Sequence, residues 1–208
     1  NFTYEIKKLE AEIGLRVEYV DLVYEVDPNH NTYQSDGYSY IQPFPNARVT
    51  YKFDDRNRVS LFYNRRVDRP DEVDIRIFPK YDDAEIIKVG NPAMKPQFTQ
   101  SFELGYKNDW DKGYVYGAVY HRISDGTITR IATTVDASNL IYTTSQNAGK
   151  SYNSGIELVL NQRFSERIAM NLNLNGYTNQ IEAFTVENKY PIAHTFSAGK
   201  EQIYTGNV

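Results

Sequence analysis

Three arginines, Arg65, Arg66 and Arg69, are the first residues in this sequence that are capable of binding chemistry. A guanidinium group binds carboxylates and phosphates through paired hydrogen bonds, so such a cluster is a candidate anion site. These arginines, however, come at the end of a run in which apolar and polar residues alternate. Carboxylates of neighbouring strands would then lie within reach, and we expect a ladder of ion pairs instead of an anion site.

A second candidate is Gly149-Lys150-Ser151, which copies the end of a phosphate-binding loop. That loop requires a glycine at position 144 and a helix directly after its serine. Thr144 occupies the glycine position, and an alternating strand pattern follows Ser151. The sequence therefore predicts an ordinary loop at these residues.

Asp27, Asn29 and Asn31 resemble part of a calcium loop, but Thr32 occupies its obligatory glycine position, which favours a solvated loop over a looser calcium site. The rest of the sequence has no pattern that indicates catalysis or metal binding. It contains no cysteine, and its three histidines are far apart, so neither a thiolate site nor a histidine site for a metal is indicated. No serine stands in a nucleophile elbow, and no carboxylate pair suggests a general acid and base. We therefore expect no enzymatic activity, no metal and no cofactor. The net charge of −4 argues against a nucleic-acid partner.

The elements that carry these residues are predicted to be β-strands, because apolar and polar residues alternate with a period of two over most of the chain. The period recurs at 9–19, 47–53, 59–63, 98–106, 152–164 and 168–174. The 18 tyrosines and 10 phenylalanines suit strands, and tyrosine also suits a membrane interface. No run of about 18 apolar residues predicts a transmembrane helix. We predict an all-β chain, an antiparallel meander of about eight strands.

The connections between the predicted strands alternate between short and long. Short turns are predicted near Lys7, Asp54, Asp109 and Glu166, and long loops near positions 36, 90, 136 and 187. Outer-membrane barrels have short periplasmic turns and long extracellular loops, whereas a soluble sandwich has no reason to sort its loops by length. The sequence therefore predicts a barrel wall and its orientation in the membrane.

One long loop is centred on GNPAMKP, at residues 90–96. Pro92 and Pro96 fix their own backbone angles and restrict the residues before them, which excludes a regular helix and a central strand. Alternating runs begin at Arg58 before the loop and at Phe98 after it. We predict a long, stiffened loop that joins two strands.

The sequence motifs of this region resemble those of a known family. NRRVDRPD, GNPAMKP and FELGYK in this order resemble the β-barrel of TonB-dependent outer-membrane receptors, and in particular the Bacteroidetes-type outer-membrane β-barrel family. The signature residues are Gly90, Asn91, Pro92, Lys95 and Pro96. Met94 and Gln97 stand where members usually have Leu and Glu. GLRVEY at 14–19, and a loop at Asn147 followed by SGIEL at 154–158, match in the expected order, so the resemblance covers roughly the whole chain.

The resemblance implies a barrel of about 22 strands around a plug domain, energised through TonB from the inner membrane. Positions 1–208 would then be a partial barrel domain, since the sequence contains neither a plug domain nor a signal peptide, and we expect a longer natural chain. The implied role is nutrient uptake across the bacterial outer membrane. The implied partners are outer-membrane lipid, the plug domain, TonB and a transported solute whose identity does not follow from the sequence.

Strand parity assigns the side chains of the wall to two faces. The predicted lipid-facing residues are Leu158, Leu160, Leu172 and Leu174. The residues predicted to face the lumen or the plug are Glu157, Asn161, Asn171, Asn173 and Asn175.

Two other interpretations fit part of the sequence. The length also suits a complete small barrel of about eight strands with a structural or adhesive role. The alternation also suits a soluble β-sandwich that binds carbohydrate. If the chain is a piece of a larger barrel, its edges near Leu9 and Thr195 carry unpaired backbone groups. We therefore expect the isolated chain to self-associate through its edge strands.

Overall fold

The computed structural model describes residues 2–29, 33–81, 85–135, 140–189 and 193–207. In chain order the elements are β1 (Phe2–Ile6), β2 (Leu9–Tyr24), β3 (Asp36–Lys52), β4 (Asn57–Asp68), α1 (Glu72–Ile75), β5 (Lys80–Tyr81), β6 (Ile86–Val89), β7 (Gln97–Trp110), β8 (Gly113–Asp125), β9 (Ile128–Val135), β10 (Leu140–Asn147), β11 (Ser151–Arg163), β12 (Ala169–Ile181), β13 (Phe184–Asn188), β14 (His194–Ala198) and β15 (Glu201–Asn207). Within the described ranges, no helix is long and apolar enough to cross a membrane.

Nine of these strands form one antiparallel sheet, in the order β1-β2-β3-β4-β7-β8-β11-β12-β15. The predicted all-β meander is therefore confirmed, with nine strands where about eight were expected. Over the part of the chain that the structure describes, the sheet is open, and β1 and β15 are its edges. The predicted positions of the edges are wrong, because Leu9 belongs to β2, which is paired on both sides, and Thr195 belongs to β14, outside this sheet. Self-association through the edge strands stays a prediction.

The connections of the main sheet alternate in length as the sequence predicts. Short turns occupy residues 7–8, 53–56, 111–112 and 164–168, and long connections occupy 25–35, 69–96, 126–150 and 182–200. Position 136, near which a long loop was expected, lies outside the described residues. Because consecutive strands are antiparallel, all the short turns lie at one end of the sheet and all the long connections at the other.

The register gives the sheet one apolar and one polar face. Cross-strand partners share a face, and Leu61, Leu104, Val119 and Ile156 form an unbroken row across four strands. Their side chains are 49–64% exposed. The hydroxyls of Thr50 and Ser60 meet on the opposite face, 2.9 Å apart. An apolar patch of this size is unfavourable in water but not in lipid.

The long connections contain structure that the periodicity does not predict. β5, β6, β10 and β9 form a separate four-stranded sheet in that order, and β13 pairs with β14. Ile128 and Ile131 belong to β9 and do not extend β8, because the chain turns at Gly126, which has a φ of +67° that glycine adopts readily.

Candidate functional site at the loop end of the sheet

The signature loop, residues 90–96, is folded into the interior of the long connections. Asn91 is 7% exposed and Met94 is 2% exposed. Gly90, Pro92 and Pro96 are buried as well, and within the loop Ala93 and Lys95 are exposed. The loop contains neither helix nor strand, as its prolines predict. Four of the five signature residues are thus packing residues of the loop end of the protein, and the fifth, Lys95, is exposed.

Gly90 permits a close approach between two backbone segments. Its N–H donates to the carbonyl of Arg76 at 2.9 Å, and the N–H of Asn91 donates to the carbonyl of Asp74 at 2.6 Å. A Cβ atom at position 90 would lie 2.4 Å from both the N and the O of Arg76. Only glycine, which has no Cβ atom, fits at this distance, and this explains why the signature begins with glycine.

Asn91 begins a series of buried amides that joins three long connections. Its Nδ2 donates to Oε1 of Gln146 at 2.9 Å, and Nε2 of Gln146 donates to Oδ1 of Asn188 at 3.1 Å. The three side chains are 7%, 7% and 0% exposed. Each belongs to a different long connection, and we call the three residues the amide chain. Because buried amides are costly when unpaired, these bonds hold the three connections together.

Asn147 fixes the other end of the signature loop. Its Oδ1 accepts from the N–H of Lys95 at 2.8 Å, and its Nδ2 donates to the carbonyl of Lys95 at 2.8 Å. The same Nδ2 donates to the carbonyl of Gly126 at 3.0 Å. One side-chain amide therefore supplies the backbone partners that a neighbouring strand would supply in a sheet.

The Asp74 side chain joins α1 to the four-stranded sheet. Its Oδ1 accepts from the hydroxyl of Ser145 at 2.6 Å and lies 3.9 Å from Nη2 of Arg130. Its Oδ2 accepts from the N–H of Asp71, directly before the helix. The carboxylate thus satisfies a free donor at the helix start while it connects two long connections.

A cleft of about 460 Å³ lies between the loop ends of β2 and β3 and the 69–96 connection. Its walls are mainly apolar and aromatic, and they include Tyr24, Tyr38, Ile75, Phe78, Pro92 and Met94. Tyr38 pairs with Leu22, which shares the polar face with Glu18, so the cleft lies on the polar side of the sheet. We call it the loop-end cleft. Part of the signature loop forms its wall.

The arginine cluster does not form a shared anion site. Arg69 donates through Nη2 to the carboxylate of Glu18 and to the hydroxyl of Tyr40, the latter at 3.2 Å. The hydrogen bond with Tyr40, together with the charge of Glu18, raises the pKa of Arg69 above its ordinary value. Arg66 pairs within its own strand, and Arg65 packs on aromatic rings. The expected ladder of ion pairs with neighbouring strands does not form at these three arginines, because Arg69 follows β4 and reaches Glu18 of β2, on the far side of β3.

The phosphate-loop resemblance is not supported by the structure. Nζ of Lys150 lies 3.5 Å from a carboxylate oxygen of Asp125, and Ser151 begins β11. A strand at this position cannot supply the helix N-terminus that a phosphate loop requires.

The predicted lumen residues lie together on one face of the β11–β12 hairpin. The cross-strand pairs are Glu157–Asn175, Val159–Asn173 and Asn161–Asn171. Nδ2 of Asn161 donates to Oδ1 of Asn171, and the hydroxyl of Tyr120 donates to Oδ1 of Asn175 at 3.3 Å. Asn161 and Asn171 lie near the short turn at 164–168, at the end of the sheet opposite the signature loop. Within the structure, this pair of predicted lumen residues and the signature residues at 90–96 therefore lie at opposite ends of the sheet.

Several residues with structural roles at the loop end are not predicted by any pattern in the sequence. Gln146 directly precedes Asn147, which the resemblance does mark, but nothing in the pattern singles out Asn188. Arg76 and Phe78 lie in a stretch without a clear period. Their roles depend on contacts between connections that are far apart in sequence.

Gly90→Ala is expected to destabilise the loop end by about 1–3 kcal/mol, because the added methyl group would overlap backbone atoms that cannot move independently. Faster hydrogen exchange in residues 69–81 would report the effect. Gly199→Ala is the matched control, since no atom lies within 4 Å of a Cβ at that position. Similar exchange in the two variants would contradict the steric explanation.

An open wall with one apolar and one polar face, short turns at one end and structured loops at the other has the features of part of an outer-membrane barrel. The family model for the outer membrane protein beta-barrel family matches residues 1–207. The chain therefore belongs to that family, and it is a bacterial outer-membrane protein, as the sequence resemblance predicts. No curated protein matches the chain.

Several solved structures share the fold. One is the copper transporter OprC, with a TM-score of 0.59, 11% identity, and coverage of 97% of this chain and 37% of that chain. Another is the hemophore receptor HasR of Serratia marcescens, solved with its hemophore HasA and heme, with a TM-score of 0.58, 12% identity, and coverage of 94% and 38%. A third is the siderophore receptor PirA from Pseudomonas aeruginosa, with a TM-score of 0.56, 16% identity, and coverage of 94% and 41%. The chain spans less than half the length of these proteins.

Proposed function

We propose that this chain forms part of the barrel wall of a TonB-dependent outer-membrane receptor that takes up a nutrient. The observation that carries the proposal is the exposed apolar row opposite a polar face. Lipid would cover the apolar row, and the polar face would line a lumen. Family membership supports the proposal, as do the structural neighbours described as a copper transporter, a siderophore receptor and a hemophore receptor.

In this proposal the polar face contacts the plug domain and the passing solute. Glu157, Asn161, Asn171, Asn173 and Asn175 supply one carboxylate and four amides to that face. Amides donate and accept hydrogen bonds without fixed charge, which is compatible with a neutral or chelated solute. The plug domain and TonB would belong to the full-length receptor. The signature loop and the rest of the loop end would face the outside of the cell.

Uptake in cells tests this function. Deletion of the full-length gene is expected to abolish accumulation of at least one labelled nutrient in a panel that includes chelated metals, cofactors and oligosaccharides. An uncoupler of the inner membrane should stop the same accumulation in wild-type cells, because transport of this class draws energy from that membrane. Accumulation that persists in the presence of the uncoupler would indicate a passive pore and would contradict the proposal.

The topology has a separate test with single cysteines in the full-length receptor. A membrane-impermeant maleimide added to whole cells is expected to label Ala93→Cys in the signature loop, because Ala93 is exposed there. Asp111→Cys in a short turn is the matched control, since the Asp111 side chain is 84% exposed and is expected to react only after the outer membrane is opened. Labelling in the reverse order would invert the proposed orientation.

A further inference from the structure

We propose that the loop-end cleft binds a solute that carries a flat apolar ring system and one anionic group. The inference rests on the proposed function, because it names the chemical class of solute that the receptor would capture before transport. It depends on the size of the cleft, on the ring-bearing residues of its wall, and on the donor groups of Arg76.

The cleft has the dimensions of a small-molecule site. Its volume of about 460 Å³ lies within the range of roughly 300–1,000 Å³ that is usual for ligand pockets. Tyr24 and Tyr38 line the cleft from β2 and β3, and Ile75 and Phe78 line it from the 69–96 connection. Phe78 is 70% exposed and Ile75 is 37% exposed, although both are large and apolar. Aromatic rings that line a cleft from two different parts of the chain favour a ligand with a flat ring system.

Arg76 is the cationic group of the cleft that would select an anion, against the two carboxylates, Glu25 and Glu72, that also line the cleft. Its Nη1 lies 3.5 Å from Oε1 of Glu72, at the outer limit of a hydrogen bond. Its Nε–H is buried and has no acceptor among the described residues. The Arg76 side chain is 33% exposed, and a carboxylate of the solute would accept charge-assisted hydrogen bonds from its exposed guanidinium nitrogens. The other arginine of the cleft, Arg69, is already engaged by Glu18 and Tyr40.

The wall formed by the signature loop is held in place before any ligand binds. Pro92 and Met94 contribute to the cleft, and Gly90 and Asn91, which precede them, are fixed by the backbone bonds to Arg76 and Asp74. The amide chain then anchors Asn91 to the other connections. A preformed wall reduces the ordering cost of binding, so a small rigid solute is favoured.

Saturation-transfer difference NMR on the full-length receptor in lipid nanodiscs tests the inference. Naphthalene-1-carboxylate is the probe, 1-naphthylmethylamine has the opposite charge, and maltose lacks an apolar ring. We expect the carboxylate to bind about tenfold more tightly than the amine, a difference that one charge-assisted hydrogen bond supports. Equal affinity for the two naphthalene compounds, or binding of maltose alone, would overturn the inference.

Three variants of cleft residues sharpen the test. Phe78→Ala is expected to weaken binding of the carboxylate about tenfold, by removal of apolar contact area. Arg76→Gln should remove the preference for the carboxylate over the amine, while the backbone bonds at position 76 remain available. Glu72→Gln should strengthen binding of the carboxylate, because it removes the group that competes for Arg76. Insensitivity to all three substitutions would place the probe elsewhere and refute the inference.

Phe164→Ala is the matched control for Phe78→Ala. Phe164 is 56% exposed and lies at the short-turn end, so its removal should leave binding unchanged. Failure of this inference is distinguishable from failure of the proposed function. If energy-dependent uptake is present while the naphthalene carboxylate does not bind, the cleft assignment is wrong and the receptor function stands. If the probe binds as described while the deletion strain accumulates every nutrient normally, the receptor function is wrong and the cleft assignment stands.

Discussion

Leu174→Arg is expected to destabilise the folded full-length protein by about 2–4 kcal/mol in a lipid bilayer. Leu174 pairs with Leu158 near the middle of the β11–β12 hairpin, on the same face as the apolar row. A guanidinium at this depth must enter hydrocarbon or deform the bilayer around it, and both are unfavourable. A urea titration of the full-length protein in lipid vesicles measures the change in the free energy of unfolding.

Asn173→Arg is the matched control for this substitution. Asn173 is the adjacent residue of the same strand, so its side chain lies on the polar face, where it is exposed. Arginine there stays in contact with water, and the expected change is within about 0.5 kcal/mol. Equal costs for the two substitutions would show that the apolar face does not contact lipid.

Gln146→Leu is expected to destabilise all three long connections, because it removes the middle of the amide chain. Asn91 would lose the acceptor of its Nδ2, and Asn188 would lose the donor to its Oδ1, while both stay buried. Each buried group left unpaired costs about 1–3 kcal/mol, so the total lies at about 2–6 kcal/mol. Hydrogen exchange followed by mass spectrometry should show faster exchange at the signature loop, β10 and β13 together.

The control for Gln146→Leu is Asn161→Leu, which removes one partner of a solvent-accessible amide pair on the sheet wall. Water can replace the lost partner there, so exchange in the long connections should not change. Replacing Asn91, Gln146 and Asn188 together with leucine should cost less than three times the single effect, since no side-chain amide is then left unpaired. The N–H of Ala93, which donates to Asn91, belongs to an exposed residue and can bond to water instead. Faster exchange confined to β10 in Gln146→Leu would show that the three connections are not coupled.

Local pattern alone determines much of this protein. The alternation of Leu158 and Leu160 with Glu157 and Asn161 indicates strands, because side chains on a strand point to alternate faces. The alternation of short and long connections indicates a membrane barrel and shows which end of the sheet carries the turns and which carries the loops. The GNPAMKP motif indicates the family. Each of these inferences needs only residues that are close together in the sequence, or a repeat of the same pattern.

Only the tertiary structure reveals the arrangement of the loop end. Position 90 requires glycine because the backbone of Arg76 lies against it. The buried amide of Asn91 is satisfied by Gln146, which is 55 residues away in the sequence. The loop-end cleft likewise combines β2 and β3 with a connection that follows β4. The short strands of the long connections carry too few residues to show a period, and they pair across large separations. Such contacts depend on which distant segments of the chain meet in the folded protein, and local periodicity does not contain that information.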